Sequence, residues 1–159
     1  MIKKILLFAT AATITTACFS QRGMLDNALG VRVGLGSGVT YQHFFSDRNV
    51  FEGIAYQRFG GVNVTALYEI HQQMFDIRGL KWYLGAGGHA WLYNKNSVLN
   101  EMRMIENSYA LGVDGILGMA FYLRSYPLQF SVDWKPGFNL KGSNYIEWDA
   151  GAMSVRYRF

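Results

Sequence analysis

The chain has 159 residues, of which 16% are charged and 16% aromatic, with 18 glycines and a formal charge of +4. That length suits a single domain, and past the N-terminal segment no run approaches the roughly 20 consecutive apolar residues a membrane helix needs. Lys3 and Lys4 fall in a segment expected to be removed; without them 13 basic residues face 11 acidic ones, which does not imply a nucleic-acid-binding surface.

Residues 1–20 have the anatomy of an export signal: Lys3 and Lys4, an apolar stretch over 5–12, then small and hydroxyl residues up to Ser20. Cleavage after Ser20 starts the mature chain at Gln21. A competing reading makes Cys18, which follows TTA, the lipidated first residue of a lipoprotein, although Thr15 stands where such signals usually have leucine. Cys18 is the only cysteine, so cleavage after Ser20 excludes disulfides, thiol catalysis and cysteine-ligated metals. Residues 21–27 read as a short periplasmic lead, and residues 28–159 as the domain proper.

From Ala28 the sequence alternates. Leu29, Val31, Val33 and Leu35 share one face, with Gly30, Arg32 and Gly34 on the other. The run GSG at 36–38 either turns the chain, splitting 28–45 into two strands, or lets one crowded strand bend. SDRN at 46–49 is a turn. Residues 50–59 form the next strand with ambiguous facing, because Glu52, Ile54, Tyr56 and Arg58 share one parity. Gly60 and Gly61 turn again, and Val62, Val64, Ala66, Tyr68 and Ile70 then alternate against Asn63, Thr65, Leu67, Glu69 and His71. DIRG at 76–79 is followed by LKWYLGAGGHAWLY, whose inner set contains Lys81, Tyr83, His89 and Trp91.

Residues 94–107 make the one long polar connection. In the strand from 109 to 123, Asp114 lies opposite the Leu and Val face. RSYP at 124–127 turns into a strand that sets Leu128, Phe130, Val132 and Trp134 against Gln129, Ser131, Asp133 and Lys135. Pro136 and Gly137 should make its far end fray or bulge towards the loop at 141–145. The chain closes on a strand with Met153, Val155, Tyr157 and Phe159 on one face and Ser154, Arg156 and Arg158 on the other.

A soluble barrel carries its charged face outward. Here the polar faces hold few charges and many glycines, too little to solubilise the exterior. Turned inside out, the pattern is that of an all-β, antiparallel up-and-down transmembrane β-barrel, with lipid against the Leu, Val and Phe face and small or paired polar groups within. With Phe159 on the periplasmic side, the loop at 94–107 falls outside, where such barrels place long loops. Both termini then share a side only if the strand count is even, which favours eight strands over seven.

On the strength of this pattern, of LKWYLGAGGHAWLY and LQFSVDWKPGFNL, and of the terminal SVRYRF, residues 28–159 resemble the small eight-stranded outer-membrane barrels of Gram-negative bacteria, of the OmpA/OmpX-like kind. The signal ending FSQ resembles those of the Bacteroidetes. The resemblance implies insertion by the barrel assembly machinery, with Val155, Tyr157 and Phe159 as the assembly signal. It implies no catalytic motif.

The inward parity collects Arg32, Glu69, His71, Lys81, His89, Asp114, Asp133, Lys135, Arg156 and Arg158. Burying these singly would cost several kcal/mol each, so they are expected to pair as a structural plug. Hairpin neighbours suggest Asp133 with Arg156 or Arg158, and Glu69 with Lys81. A narrow solute pore is the alternative, in a lumen with little room. A lipid-modifying enzyme is a second: Glu69, His71 and His89 are candidates to lie near one another, but no serine faces them, Ser131 and Ser154 being on the other wall. Two histidines on different strands lack a third metal ligand, so neither metal nor cofactor is expected. In the long loop, Lys95, Met102, Arg103 and Met104 are candidate contacts to a surface ligand of unknown kind. Trp82, Trp134, Tyr68 and Tyr157 read as lipid-facing or interfacial anchors. The expected partners are membrane lipid and the assembly machinery, with the barrel a monomer.

Overall fold

The computed structural model describes residues 26–58, 61–93, 109–141, 146–148 and 151–159. The expected export signal, Cys18, Gly60 and the long connection with Lys95, Met102, Arg103 and Met104 lie outside the described residues.

Alternation drives the chain into β1 (Asn27–Gly34), β2 (Ser37–Phe44), β3 (Asn49–Arg58), β4 (Gly61–Gln73), β5 (Leu80–Tyr93), β6 (Tyr109–Tyr122), β7 (Leu128–Trp134), β8 (Gly137–Lys141), β9 (Ile146–Glu147) and β10 (Gly151–Arg158). Every pairing is antiparallel, and β1 pairs with β10 so that the sheet closes on itself. The last residue takes part in the seam: Asn27 N donates to the Phe159 carbonyl at 3.1 Å and Phe159 N to the Asn27 carbonyl at 2.9 Å. Closure removes exposed strand edges, the liability of an open sheet.

The ten segments form eight staves. β6 pairs Leu117 with Trp134 and Asp114 with Gly137 in one unbroken register. Gly115 N meanwhile donates to the Pro136 carbonyl at 2.9 Å, so β7 and β8 are one stave. β9 and β10 lie along its two halves, Glu147 opposite Gly137 and Gly151 opposite Trp134. Pairing therefore runs through Pro136 instead of fraying there. Proline lacks only the N–H, and its carbonyl still serves the ladder. The bulge falls further on, where Gly112 faces Asn139 but Leu111 faces Lys141.

Residues 28–45 are two strands, which sets the even count. Their hairpin centres on Leu35 and Gly36, with Gly34 N donating to the Gly36 carbonyl at 2.9 Å. Ser37 and Gly38 already pair with Val33 and Arg32. Gly38 is needed for packing: a Cβ there would sit 2.1 Å from the Ala55 carbonyl oxygen. At the 74–79 turn, φ is +44° at Phe75 and +93° at Gly79. SDRN turns as read, Ser46 Oγ accepting from Asn49 N at 3.0 Å.

The faces separate cleanly. Val31, Val64, Leu84, Leu117 and Val132 are exposed on the outer wall, as are the interfacial candidates Tyr68, Trp134 and Tyr157; Trp82 is half-buried. The ambiguity in β3 resolves with Glu52, Ile54, Tyr56 and Arg58 all buried inside.

Candidate functional site

An eight-stranded barrel has an interior just wide enough for side chains to fill. At mid-height that filling is ionic. Arg156 on β10 reaches across the barrel: Nη2 pairs with Glu52 of β3, Nη1 donates to Ser131 Oγ at 2.7 Å, and Nε donates to Thr40 Oγ1 at 3.1 Å. The Thr40 hydroxyl in turn donates to Glu52, and Gln42 Nε2 donates to Glu52 Oε2 at 3.2 Å. Beside it, Arg32 of β1 clamps Asp133 of β7 with both guanidinium nitrogens, one at 2.8 Å, and Tyr83 donates its hydroxyl to Asp133 Oδ2 at 2.9 Å. Arg156, Glu52 and Gln42 are wholly out of solvent. Such charges are tolerated only because each is paired and further hydrogen-bonded.

The expected hairpin pairs do not form, and register is the reason. Asp133 pairs in the ladder with Ala152, and Arg156 with Gln129. That is four positions, roughly 13 Å along the strand. Glu69 likewise stands opposite Gly85, while Lys81 stands opposite Gln73. Glu69 and Lys81 instead find partners on the same strand and on a neighbouring turn. Glu69 Oε2 lies 2.8 Å from His71 Nε2, and Lys81 Nζ donates to the Asp47 carbonyl at 2.8 Å.

Two further polar groups lie in the interior among the described residues. Towards the termini, His71 stacks on Tyr83 at 4.8 Å, and its Nδ1 lies 3.1 Å from Tyr122 Oη. Arg158 lies over Phe44 and Tyr122, six positions along β10 from Ala152, the residue that faces Asp133. Towards the opposite end, His89 Nδ1 lies 2.8 Å from Asp114 Oδ1 and its Nε2 2.9 Å from Asn139 Oδ1, with Lys135 Nζ 3.2 Å from the same Asp114 oxygen. Gly112 makes room for that imidazole, since a Cβ there would lie 2.5 Å from the ring.

His71 and His89 thus belong to different clusters, the former opposite Tyr83 and the latter opposite Thr65, six strand positions apart. Glu69, His71 and His89 do not assemble as one acid–base set. Arg32, Glu69, His71, His89, Asp114, Asp133, Lys135 and Arg156 are buried inside, whereas Lys81 and Arg158 are half-buried at one mouth. The residue missed at the centre is Glu52, with its helpers Thr40, Gln42 and Gln129. Its signal was present: two charges, Glu52 and Arg58, on one parity of β3 against none on the other.

A closed antiparallel barrel of eight staves, apolar outside and hydrogen-bonded through ions inside, has the architecture of the small OmpA-like outer-membrane barrels. The chain is similar in fold to the crystal structure of the N-terminal β-barrel domain of Pseudomonas aeruginosa OprF, with a TM-score of 0.61 over 84% of this chain and 96% of that one. Sequence identity is 14%, so the likeness concerns the fold. No protein-family model matches the chain, and no curated protein matches it in sequence.

Proposed function

We propose that the chain is an integral outer-membrane barrel with a structural or surface-interaction role, its lumen closed by the Arg156–Glu52 and Arg32–Asp133 network. The observation that carries this is the inversion of faces: large apolar side chains cover the outer wall while the ions are buried within. Water would have to solvate that wall in a soluble protein; lipid covers it at no such cost. Residues 1–20 serve as the export signal, both termini face the periplasm, and the connection between β5 and β6 lies at the cell surface, where Lys95, Met102, Arg103 and Met104 are offered to a ligand. The barrel acts as a monomer without catalysis.

Val155, Tyr157 and Phe159 lie on the outer face of the closing strand, and Phe159 holds Asn27 across the seam. In this reading they are what the barrel assembly machinery engages. Fractionation tests the location: the protein is expected to stay in the membrane pellet through high salt and alkali and to migrate on gels according to heating. Release into a detergent-free soluble fraction would overturn it. Deleting Phe159 is expected to reduce the heat-shifted, assembled form several-fold, more than any loop substitution, and equal assembly of both chains would remove the terminal strand from that role.

A further inference from the structure

At the end of the barrel where Asp26 and Arg158 lie, the interior opens into a cavity of about 740 Å³. That is within the range of small-molecule sites, roughly 300 to 1,000 Å³. Towards the opposite end, Arg32, Tyr56, Arg58 and Lys135 line a small recess of about 20 Å³, on the scale of one water. The large mouth has a built floor. Phe44 and Tyr122 are 8% and 9% exposed, and Tyr122 is held from below by His71, which is itself held by Glu69.

Two cations converge on that floor. The Arg158 guanidinium carbon lies 4.9 Å from the Phe44 ring centre and 5.1 Å from that of Tyr122; Lys81 Nζ lies 5.4 Å from Tyr122. Aromatic faces attract cations, which holds both charges at the floor beside the open space. Lys81 has three protons to give, and among the described residues only the Asp47 carbonyl takes one. The rim adds Arg124 against Asp26 and Asp47, leaving the lining with three cations and two anions. Tyr126 and Pro127 supply an apolar wall, Tyr126 being 64% exposed.

We propose that this mouth binds a small organic anion, a carboxylate or a phosphate ester, its charged group bridging Lys81 and Arg158 and its apolar body resting on Tyr126 and Pro127. Charge-assisted hydrogen bonds from two cations fit either headgroup. The site rests on the interior geometry and goes beyond the membrane location proposed above.

The test is an NMR titration of the purified full chain in lipid nanodiscs with phenyl phosphate, benzoate and benzylamine, which share a ring and differ in charge. Saturable shifts at the amides of Phe44, Lys81, Tyr122 and Tyr126 are expected with one or both anions and not with benzylamine. Which anion binds more tightly identifies the headgroup. Lys81→Gln and Arg158→Gln should each weaken binding about tenfold, while Arg78→Gln, on the neighbouring exposed turn, leaves it unchanged. Should Arg158→Gln fail to assemble, Lys81→Gln alone decides, since its ammonium bonds only a backbone carbonyl. Linear, non-saturating shifts, an equal response to benzylamine, or a wild-type titration of Lys81→Gln would each overturn the proposal.

Discussion

The middle of the barrel and its terminal mouth are built from the same inward parity and the same residue types, yet they do different things. At mid-height Arg156 spends three hydrogen-bonding nitrogens on Glu52, Ser131 and Thr40 and has no exposure. Two positions along the same strand, Arg158 is half-buried and leans on aromatic rings beside open space. Depth in the lumen, more than residue type, decides whether an inward charge is a structural strut or a group that can meet a ligand.

The contrast breaks most readily at Arg156. Arg156→Ala strands Glu52 without its cation and should cost about 3–5 kcal/mol, read as a lower urea midpoint for unfolding in detergent micelles. Replacing both partners, Glu52→Leu with Arg156→Met, should recover much of that loss, because no charge remains buried. An Arg156→Ala barrel as stable as the parent would mean the network does not hold the middle together.

Crowding gives the next effect. Gly87 faces inward, where an added Cβ would meet the Ala66 carbonyl oxygen at 1.9 Å, whereas outward Gly53 has only a Phe51 ring carbon at 4.0 Å. Gly87→Ala should cost about 1–3 kcal/mol through backbone displacement, and Gly53→Ala should stay within about 0.5 kcal/mol, by the same unfolding assay. Smaller again is Tyr83→Phe, which removes one of the donors to Asp133 and should cost about 1 kcal/mol. Smallest is Lys81→Ala at the mouth. A half-exposed ammonium bonded to one carbonyl should give less than about 0.5 kcal/mol of stability, and a loss matching that of Arg156→Ala would erase the distinction between the two regions.

The sequence made the staves and their facing legible because period-two alternation is a local property: Val62 to Ile70 against Asn63 to His71 needs no knowledge of the rest of the chain. The partners inside the lumen were not legible. Arg156 meets Glu52 over 104 residues and Arg32 meets Asp133 over 101. Those encounters depend on how far each strand slides past its neighbour as the barrel closes. Hairpin adjacency suggested Asp133 with Arg156, and the stagger placed them four positions apart. The facing of β3 stayed open for a different reason: Ile54 and Tyr56 share a parity with Glu52 and Arg58, and all four pack inside. An apolar residue on a charged parity fills lumen volume as readily as a polar one.

Single-channel recording in planar bilayers tests the proposed plug most directly. The ionic network at mid-height predicts a membrane-inserted protein with no steady conductance, the terminal cavity being a blind pocket. Steady conductance steps on the scale of hydrated ions, from protein shown by its heat-dependent migration to be folded, would contradict it.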